Sequence, residues 1–409
     1  MTKIALDSIL LPILVIPYIM TYGLSHGETP YALFGIIFLS LLVYIVLDLT
    51  PIKEQVYSRF KFVLLWFVII LVLGSSFISA IVSRHTVAPI YGVHDIILQQ
   101  ESAIRYVLDG KNPYKETYFG TALEEWHYSD TQVNPALYHY VMQPWYHIFP
   151  LPFLYVSNRT LGYFDARIPL YFLVFVSLIT ASLLVKDSLQ KRLFVLLLAF
   201  NPAMLSYTLE GRSDMFLYGF LIVSLFLIYK RRFLLGSGVL ALAFAVKQSI
   251  WPLFPFFIAF VWFQQKNKRH IVYSFISFFA VFVCITLPFF LWDQHAFINS
   301  TILYLSGQTD HSYPISGYGL GMLLHQLGLI QDRSAYYPFV IWQVIVCLPL
   351  FGFLLYYLKR QPTLRRMILA YGIFLFVYWY MSRYFNNSHL GYLSLIFLTA
   401  YFWPESDKS

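Results

Sequence analysis

Residues 61–82 read KFVLLWFVIILVLGSSFISAIV and contain one charged side chain in 22 positions. A helix of about 20 apolar residues is long enough to cross a bilayer, so this stretch predicts a transmembrane helix. Comparable apolar runs lie on both sides of it, at 4–22, 30–48, 166–185, 191–209, 214–229, 270–292, 337–358, 365–382 and 388–403. Residues 234–263 predict two shorter helices that break at 247–249, which brings the number of predicted crossings to twelve.

The composition indicates an all-α polytopic membrane protein. Of the 409 residues, 59% are apolar and 12% are charged, whereas soluble domains carry about 25% charged residues. A soluble enzyme, a disordered chain and a disulfide scaffold are therefore excluded. A membrane β-barrel would alternate polar and apolar residues in segments of about 10, but the apolar runs here are continuous and about twice as long. The net charge of +8 predicts no nucleic-acid partner, because its position along the chain identifies it as an orientation signal.

The basic residues predict the orientation of the chain. Five clusters and the two chain ends together hold 18 of the 28 basic residues, at Lys53/Arg59/Lys61, Lys186/Lys191/Arg192, Lys230/Arg231/Arg232, Lys266/Lys268/Arg269, Lys359/Arg360/Arg365/Arg366, Lys3 and Lys408. They share the cytoplasmic side, as the positive-inside rule requires, if the apolar stretch 133–156 does not cross. That stretch holds several prolines and histidines, which favours an interfacial or re-entrant helix. Both termini are then cytoplasmic, and no cleavage site follows the first span, which we expect to be retained.

This topology places two long loops, 83–165 and 293–336, on the outer face. Loops of that length are uncommon without a function. In the first loop, His94-Asp95 precedes a predicted amphipathic helix over 96–108, which ends at Gly110. A carboxylate just past a membrane exit is a candidate catalytic base. Alternatively, Asp95 caps the helix, a position for which Asp is well suited.

Two further outer positions carry isolated charges. The segment Glu210-Gly211-Arg212-Ser213-Asp214 interrupts two apolar helices, and ionisable groups at membrane depth usually face a cavity. It reads equally well as a turn in which Asp214 caps the next helix and Arg212 reaches the headgroups. Lys247, at the break in 234–263, would hold a phosphate as a point charge or extend to lipid headgroups. Near the C-terminus, Arg383 is a second candidate for phosphate, and His389 reads as a proton carrier or an interfacial side chain.

The sequence contains no Walker loop, no dinucleotide-binding glycine motif and no Ser-His-Asp context, so we expect a substrate that is already in the membrane. Histidine and carboxylate spacings match no recognised metal motif. A divalent ion is therefore neither demanded nor excluded, and no cofactor is predicted.

The order of these motifs resembles the GT-C superfamily of integral membrane glycosyltransferases. The resemblance is carried by Asp95 after a membrane exit, Leu108-Asp109-Gly110-Lys111-Asn112-Pro113-Tyr114, Asn134-Pro135-Ala136-Leu137-Tyr138, Phe164-Asp165-Ala166-Arg167, Asn201-Pro202, Gly211-Arg212-Ser213-Asp214, Leu235-Gly236-Ser237-Gly238 and Ala245-Val246-Lys247-Gln248. It covers roughly 61–260 and, more weakly, the C-terminal third. The most similar branch is the polyprenyl-phosphate-mannose-dependent mannosyltransferases, including the GT87-like bacterial proteins. The first-loop acidic signature of that branch is often a pair, whereas here it is His94-Asp95 alone.

This resemblance implies roles for the polar outer residues. Asp95 and Asp214 would be catalytic, and Lys247, Arg212 and Arg383 would bind the donor phosphate. The candidate substrate contacts are His94, Glu101, Tyr114, Glu210, Gln248 and His389. The implied organisation is an N-terminal hairpin at 1–60, a catalytic core at 61–263 that includes the loop 83–165, and a C-terminal region at 264–409 that includes the loop 293–336.

The implied reaction moves a hexose, by the resemblance mannose, from a polyprenyl phosphate to an acceptor glycan, lipid or protein outside the cytoplasm. One rival is a transporter or flippase, which the broken helix at 234–263 favours. A transporter of that design would show matching breaks in two halves, and one break is visible. A polymerase of lipid-linked saccharides and a catalytically inactive scaffold are further alternatives.

Overall fold

A computed structural model describes residues 4–127, 133–264 and 268–404, and helices dominate it. Five described helices are both long and apolar enough to cross a bilayer: Tyr31–Leu49, Glu54–Val87, Arg167–Leu184, Ile271–Trp292 and Phe339–Arg360. Each of the twelve predicted crossings contains a helix. Because several of these helices are shorter than 18 residues, the count of twelve crossings stays a prediction.

Ten α-helices lie in the described residues of the N-terminal half. They are α1 (Leu6–Tyr22), α2 (Tyr31–Val46), α3 (Glu54–Val87), α4 (Asp95–Leu108), α5 (Trp145–Ile148), α6 (Leu151–Thr160), α7 (Arg167–Leu184), α8 (Ser188–Ala199), α9 (Leu205–Leu209) and α10 (Ser213–Tyr229). Short 3-10 helices lie at Leu47–Leu49 and Pro135–Leu137.

Nine α-helices and two short strands follow in the described residues of the C-terminal half. The helices are α11 (Phe233–Phe244), α12 (Leu253–Gln264), α13 (Lys268–Trp292), α14 (Gln294–Ile298), α15 (Tyr304–Ser306), α16 (Leu320–Gln326), α17 (Phe339–Arg360), α18 (Leu364–Tyr380) and α19 (Asn387–Phe402). A 3-10 helix lies at Gln248–Ile250 and a π-helix at Asn299–Leu303. The strands β1 (Ser316–Gly317) and β2 (Tyr384–Phe385) pair in parallel.

The apolar stretch 133–156 contains no described helix long enough to cross. Its longest helix, α6, has 10 residues in all and is about 15 Å long at 1.5 Å per residue. The hydrocarbon core of a bilayer is about 30 Å thick, so the stretch does not cross as a single helix. Prolines at 135, 144, 150 and 152 favour its breaks, because a proline inside a helix removes a backbone hydrogen bond and clashes with the preceding turn.

Helix α10 lies at the centre of the bundle. It packs against α7, α11 and α19, and most of its side chains are buried. The apolar windows of α13 and α17 are 22% and 17% buried, against 61% for α7. The exposed faces of α13 and α17 are apolar, which fits contact with lipid.

The N-terminal hairpin is joined to α3 and α8 by a buried network of charges. Lys61 Nζ lies 2.8 Å from Asp48 Oδ1 and 3.4 Å from Asp7. Arg192 Nε lies 2.6 Å from the same Asp7 carboxylate. Lys61 and Arg192 thus stabilise helix packing and also belong to the basic clusters. Of the other basic residues used to predict the orientation, Lys3, Lys266 and Lys408 lie outside the described residues. The predicted boundary between 60 and 61 falls inside α3, because the helix begins seven residues earlier than the apolar run.

Candidate active site

The first long loop, 83–165, is joined to the segment 210–214 at His94. The His94 backbone amide donates to the Glu210 carbonyl at 2.8 Å. Trp126 donates its indole N–H to the Val93 carbonyl at 2.9 Å, and its ring lies 5.6 Å from the His94 ring. The start of α4 and the turn before α10 therefore form one contiguous surface.

The side chains of His94 and Asp95 are in contact at the start of α4. His94 Nδ1 lies 2.6 Å from Asp95 Oδ1, and the Asn134 side-chain amide donates to Asp95 Oδ2 at 3.1 Å. His94 occupies the N-cap position and Asp95 is the first helical residue. The alternative interpretation of Asp95 as the cap is therefore wrong, and its carboxylate is instead held by side chains on either side.

The surroundings of Asp95 keep it ionised. Burial alone would raise the pKa of this carboxyl, but the His94 charge, the hydrogen bonds from His94 and Asn134, and the Arg212 charge together lower the pKa below its ordinary value. Asp95 is thus an anion at neutral pH.

The turn at 210–214 depends on Gly211. Its φ of +88° lies in the left-handed region, which residues with a Cβ rarely adopt. A Cβ at this position would overlap the Ile97 side chain on α4. Within the same turn, Arg212 Nε donates to Glu210 at 3.2 Å, and the Arg212 guanidinium lies 4.4 Å from the Tyr207 ring centroid.

Asp214 and Lys247 also form an ion pair. Lys247 Nζ lies 2.7 Å from Asp214 Oδ1, with 19% of the lysine side chain and 2% of the aspartate side chain exposed. Asp214 does not cap α10, since Arg212 occupies that position. Backbone amides of the 133–156 segment reach the break beside Lys247, where Trp145 N donates to Ala245 O at 2.8 Å and Gln143 N donates to Val246 O at 3.0 Å.

A cavity of about 570 Å³ opens at this end of the bundle. Three of the predicted site residues line it: His94, Glu210 and Arg212. The remaining lining residues are Gly92, Val93, Trp126, Tyr313, Ser316, Gly317, Tyr318, Asn386 and Asn387. The cavity thus draws on the first loop, the 210–214 turn, the second long loop and the turn before α19, while Asp95 lies directly behind His94.

The Arg383 guanidinium is hydrogen-bonded to backbone carbonyls. It donates to the backbone carbonyls of Tyr313, Ala335, Arg333 and Ser334 at 2.5–3.0 Å, and the residue is 3% exposed. These acceptors belong to the second long loop, so Arg383 holds that loop against the end of α18.

Three further candidates are engaged in internal contacts. Glu101 accepts a two-pronged ion pair from Arg84, with both distances 2.8 Å. The Tyr114 hydroxyl donates to the Met142 carbonyl at 2.9 Å. The Gln248 side chain donates to the carbonyls of Val141 and Thr301, each at 2.9 Å. These residues support the walls of the outer region and do not line the cavity.

His389 is buried beneath the turn that precedes α19. Its Nδ1 accepts from the Asn386 backbone amide at 2.9 Å in a capping box at the start of α19, and its ring packs 4.4 Å from that of Trp379. This contact orients Asn386 and Asn387, which do line the cavity.

Most of the lining residues were not predicted from the sequence. Trp126, Tyr313, Asn386 and Asn387 come from three separate parts of the chain. The pair Asn386-Asn387 in the turn next to Arg383 was an available signal, because asparagine side chains can bind sugar hydroxyls. In residues 4–127, 133–264 and 268–404, no group of three or more His, Cys, Asp or Glu side chains forms a candidate metal site.

Residues 143–382 match the profile of glycosyltransferase family 87, which is more than half of the chain. The match begins within the first long loop and covers the later part of the resemblance at 61–260 together with most of the C-terminal third. No curated protein and no solved structure matches the chain. The chain therefore belongs to glycosyltransferase family 87 and is a GT-C type membrane glycosyltransferase.

Proposed function

We propose that this enzyme transfers a hexose, mannose by its resemblance to the mannosyltransferase branch, from a polyprenyl monophosphate to an acceptor outside the cytoplasm. The observation that carries the proposal is one cavity lined by both His94, paired with Asp95, and Arg212. Displacement at an anomeric carbon requires a base for the acceptor hydroxyl. It also requires a cation for the departing phosphate. Family membership gives the reaction class. In this proposal the His94–Asp95 pair supplies the base and Arg212 supplies the cation.

In this proposal the His94–Asp95 pair occupies the base position. Both residues lie where α4 begins, next to the turn that carries Glu210. The acceptor hydroxyl would enter the cavity between His94 and the asparagines at 386 and 387. These amides offer donors and acceptors for neighbouring sugar hydroxyls.

Arg212 and Lys247 are the proposed cations for the donor phosphate. The Arg212 side chain is 24% exposed and lines the cavity. Lys247 is held near this turn by its ion pair with Asp214, which is two residues from Arg212 in the chain. Arg383 has no part in donor binding in this proposal, because backbone carbonyls occupy its donors.

A lipid-linked donor fits a chain of apolar helices, because it can reach the site from within the membrane. We propose twelve crossings, with both termini cytoplasmic and the cavity on the extracytoplasmic face. The basic clusters support this orientation through the positive-inside rule. Family membership argues against the transporter alternative.

The donor class is tested with purified protein in lipid vesicles. The acceptor pool is the membrane lipid and glycan fraction of cells that lack this gene, since that fraction holds the unmodified acceptor. Tritiated mannose is supplied in turn as polyprenyl-phosphate-mannose and as a nucleotide-linked sugar, alongside polyprenyl-phosphate-glucose and a diphosphate-linked oligosaccharide. We expect transfer from polyprenyl-phosphate-mannose. Transfer only from the diphosphate-linked oligosaccharide would establish the polymerase alternative, and transfer only from the nucleotide sugar would refute a lipid donor.

A further inference from the structure

We propose that a second pocket, at the other end of the bundle from the active-site cavity, binds the headgroup of an anionic membrane phospholipid through Arg59 and Lys191. The pocket has a volume of about 440 Å³ and is lined by residues from the start of α3 and the start of α8. None of its lining residues belongs to the candidate active site, so the inference does not depend on the proposed sugar transfer.

Helix α3 separates this pocket from the active-site cavity. Arg59 near its start and Arg84 near its end are 25 residues apart, which corresponds to about 37 Å at 1.5 Å per residue. The hydrocarbon core of a bilayer is about 30 Å thick, so the two ends of α3 reach opposite membrane surfaces. The loop that follows α3 carries His94, which lines the cavity. In the proposed orientation the pocket therefore lies at the cytoplasmic surface, where anionic phospholipids are found.

The basic residues at this end of the bundle fall into two groups. Lys61 and Arg192 are buried and paired with the carboxylates of Asp7 and Asp48. Arg59 and Lys191 both line the pocket. In the ranges 4–127, 133–264 and 268–404, neither of these two has a carboxylate within ion-pair distance. Two unpaired cations at one pocket repel each other, and an anion bound between them relieves that repulsion.

The chemistry of the lining fits a phosphodiester with one negative charge. A guanidinium and an ammonium both bind phosphate oxygens. Glu54 lines the same pocket and offsets one of the two positive charges, so a single negative charge neutralises the site. The hydroxyls of Ser58 and Ser188, which also line it, can bond to phosphate oxygens or to headgroup hydroxyls. Phosphatidylglycerol offers both kinds of group and carries one negative charge.

Apolar surface next to the pocket provides a place for the acyl chains. Phe62 lines the pocket, and its ring packs edge-on against that of Trp66 at 6.4 Å. Val63 and Ile70 are exposed apolar residues on the same helix. Positions three and four apart share one face of a helix, so the line 59, 63, 66 and 70 runs from the pocket toward the membrane interior. A phospholipid can use this line, whereas a free phosphate cannot.

The test measures lipid binding to delipidated protein in a neutral detergent. Dioctanoyl phosphatidylglycerol and dioctanoyl phosphatidylcholine are the probes, and native mass spectrometry counts the molecules retained. A basic residue near the membrane surface contributes about 1 kcal/mol to binding of anionic lipid, so we expect the wild type to prefer phosphatidylglycerol by about tenfold or more. Arg59→Gln combined with Lys191→Gln should abolish this preference. Neither side chain is buried, so the unfolding temperature without lipid should match that of the wild type.

The matched control is Lys359→Gln combined with Arg360→Gln. This variant removes the same charge from exposed positions at the end of α17, in another of the clusters predicted to face the cytoplasm, and should keep the preference for phosphatidylglycerol. Equal loss in the two double variants would show a general attraction to basic surface and overturn the inference. A wild-type protein that retains the two lipids equally would also overturn it.

Soluble competitors distinguish a lipid site from a phosphate site. Inorganic phosphate and glycerophosphoglycerol, which is the headgroup without its acyl chains, should displace little phosphatidylglycerol when added at the same concentration as the lipid. Full displacement by either compound would make the pocket a site for a soluble phosphate and overturn the assignment to a membrane lipid. These measurements require no sugar transfer, so their failure is distinct from failure of the proposed function.

Discussion

The ion pair of Lys247 and Asp214 shows how a charge near the membrane is retained. The aspartate is 2% exposed and the lysine 19%. A buried charge without its partner is expensive, and removing one partner of such a pair costs about 3–5 kcal/mol. Loss of Lys247 therefore has two consequences, a stability loss from the bare carboxylate and a proposed loss of donor phosphate binding.

Paired variants separate these two consequences. Lys247→Ala should lower the unfolding temperature and weaken binding of polyprenyl-phosphate-mannose by about tenfold, or about 1.4 kcal/mol. Lys247→Ala combined with Asp214→Asn should recover much of the stability, because no buried charge is left, yet it should still bind donor weakly. Thermal unfolding and donor binding in detergent give both readouts. Recovery of donor affinity in the double variant would show that Lys247 acts only as the partner of Asp214.

The lowered pKa of Asp95 predicts a pH dependence of stability with a definite sign. A carboxyl whose pKa is lower in the folded than in the unfolded protein stabilises the fold above the unfolded value, about 3.9. That contribution is lost as the pH falls through the folded pKa. The unfolding temperature of Asp95→Asn should therefore fall less than that of the wild type between about pH 6 and about pH 3. A fall of the same size in both proteins would mean that His94 and Asn134 do not lower the pKa of Asp95 in the folded protein.

At the scale of elements, helix α4 packs closely against the 210–214 turn at Gly211, beside the hydrogen bond from His94 to Glu210. Gly211 lies under Ile97, with a φ of +88° and no room for a Cβ. The contact holds α4 beside the turn, and His94 and Asp95 lie at the start of that helix. A backbone position this crowded makes the turn a part of the site even though Gly211 has no side chain.

Gly211→Ala should lower sugar transfer by more than about tenfold, since it pushes Ile97 and α4 away from the turn and costs about 1–2 kcal/mol for the left-handed backbone. The matched control is Gly120→Ala. Gly120 also has a left-handed φ, +74°, but a Cβ there would have no neighbouring atom within 4 Å. Gly120→Ala therefore carries the backbone strain without a steric clash and should keep near-wild-type activity. Equal losses in the two variants would attribute the effect to backbone strain. Adding Ile97→Ala should restore part of the activity of Gly211→Ala.

The second long loop is held by Arg383 through four backbone carbonyls. Because hydrogen bonds to charged groups contribute about 1.5–3 kcal/mol each, Arg383→Lys should lower stability by about 2 kcal/mol or more. It should also make the loop at 307–336 more sensitive to protease. Arg105→Lys, at an exposed position on α4, is the control for the exchange itself. A raised donor KM in Arg383→Lys without loss of stability would indicate that Arg383 binds the donor phosphate.

At the scale of the whole molecule, the helices were largely predictable and the cavity was not. A transmembrane helix is a local pattern, since the run at 61–82 is recognisable without reference to any other residue. The proline-broken stretch at 133–156 was predictable for the same reason. The partners of Arg383 are backbone carbonyls up to 70 residues away, and backbone acceptors leave no trace in sequence. Glu101 was predicted to be a substrate contact, but its partner is Arg84, which lies 17 residues earlier on another helix. The spacing of these two residues in the sequence did not indicate their ion pair.

The orientation of the bundle can be tested by labelling single cysteines in a background in which Cys284 and Cys347 are serine. Exposed positions on either side of 133–156 are Glu125 and Asn158, and Lys186 is exposed after α7. In sealed cells, an impermeant maleimide should label cysteine at 125 and at 158 but not at 186. Labelling at 125 and 186 without 158 would mean that the stretch crosses the membrane.

In the proposed reaction, the sugar leaves a polyprenyl monophosphate and the phosphate stays with the lipid. The most direct measurement uses a donor labelled with tritium in the mannose and with phosphorus-32 in the phosphate, supplied to the purified enzyme with membrane acceptors from cells that lack this gene. We expect tritium to move to the acceptor while an equal amount of phosphorus-32 is recovered as polyprenyl monophosphate. Movement of both labels together to the acceptor, or recovery of both in intact donor, would contradict it.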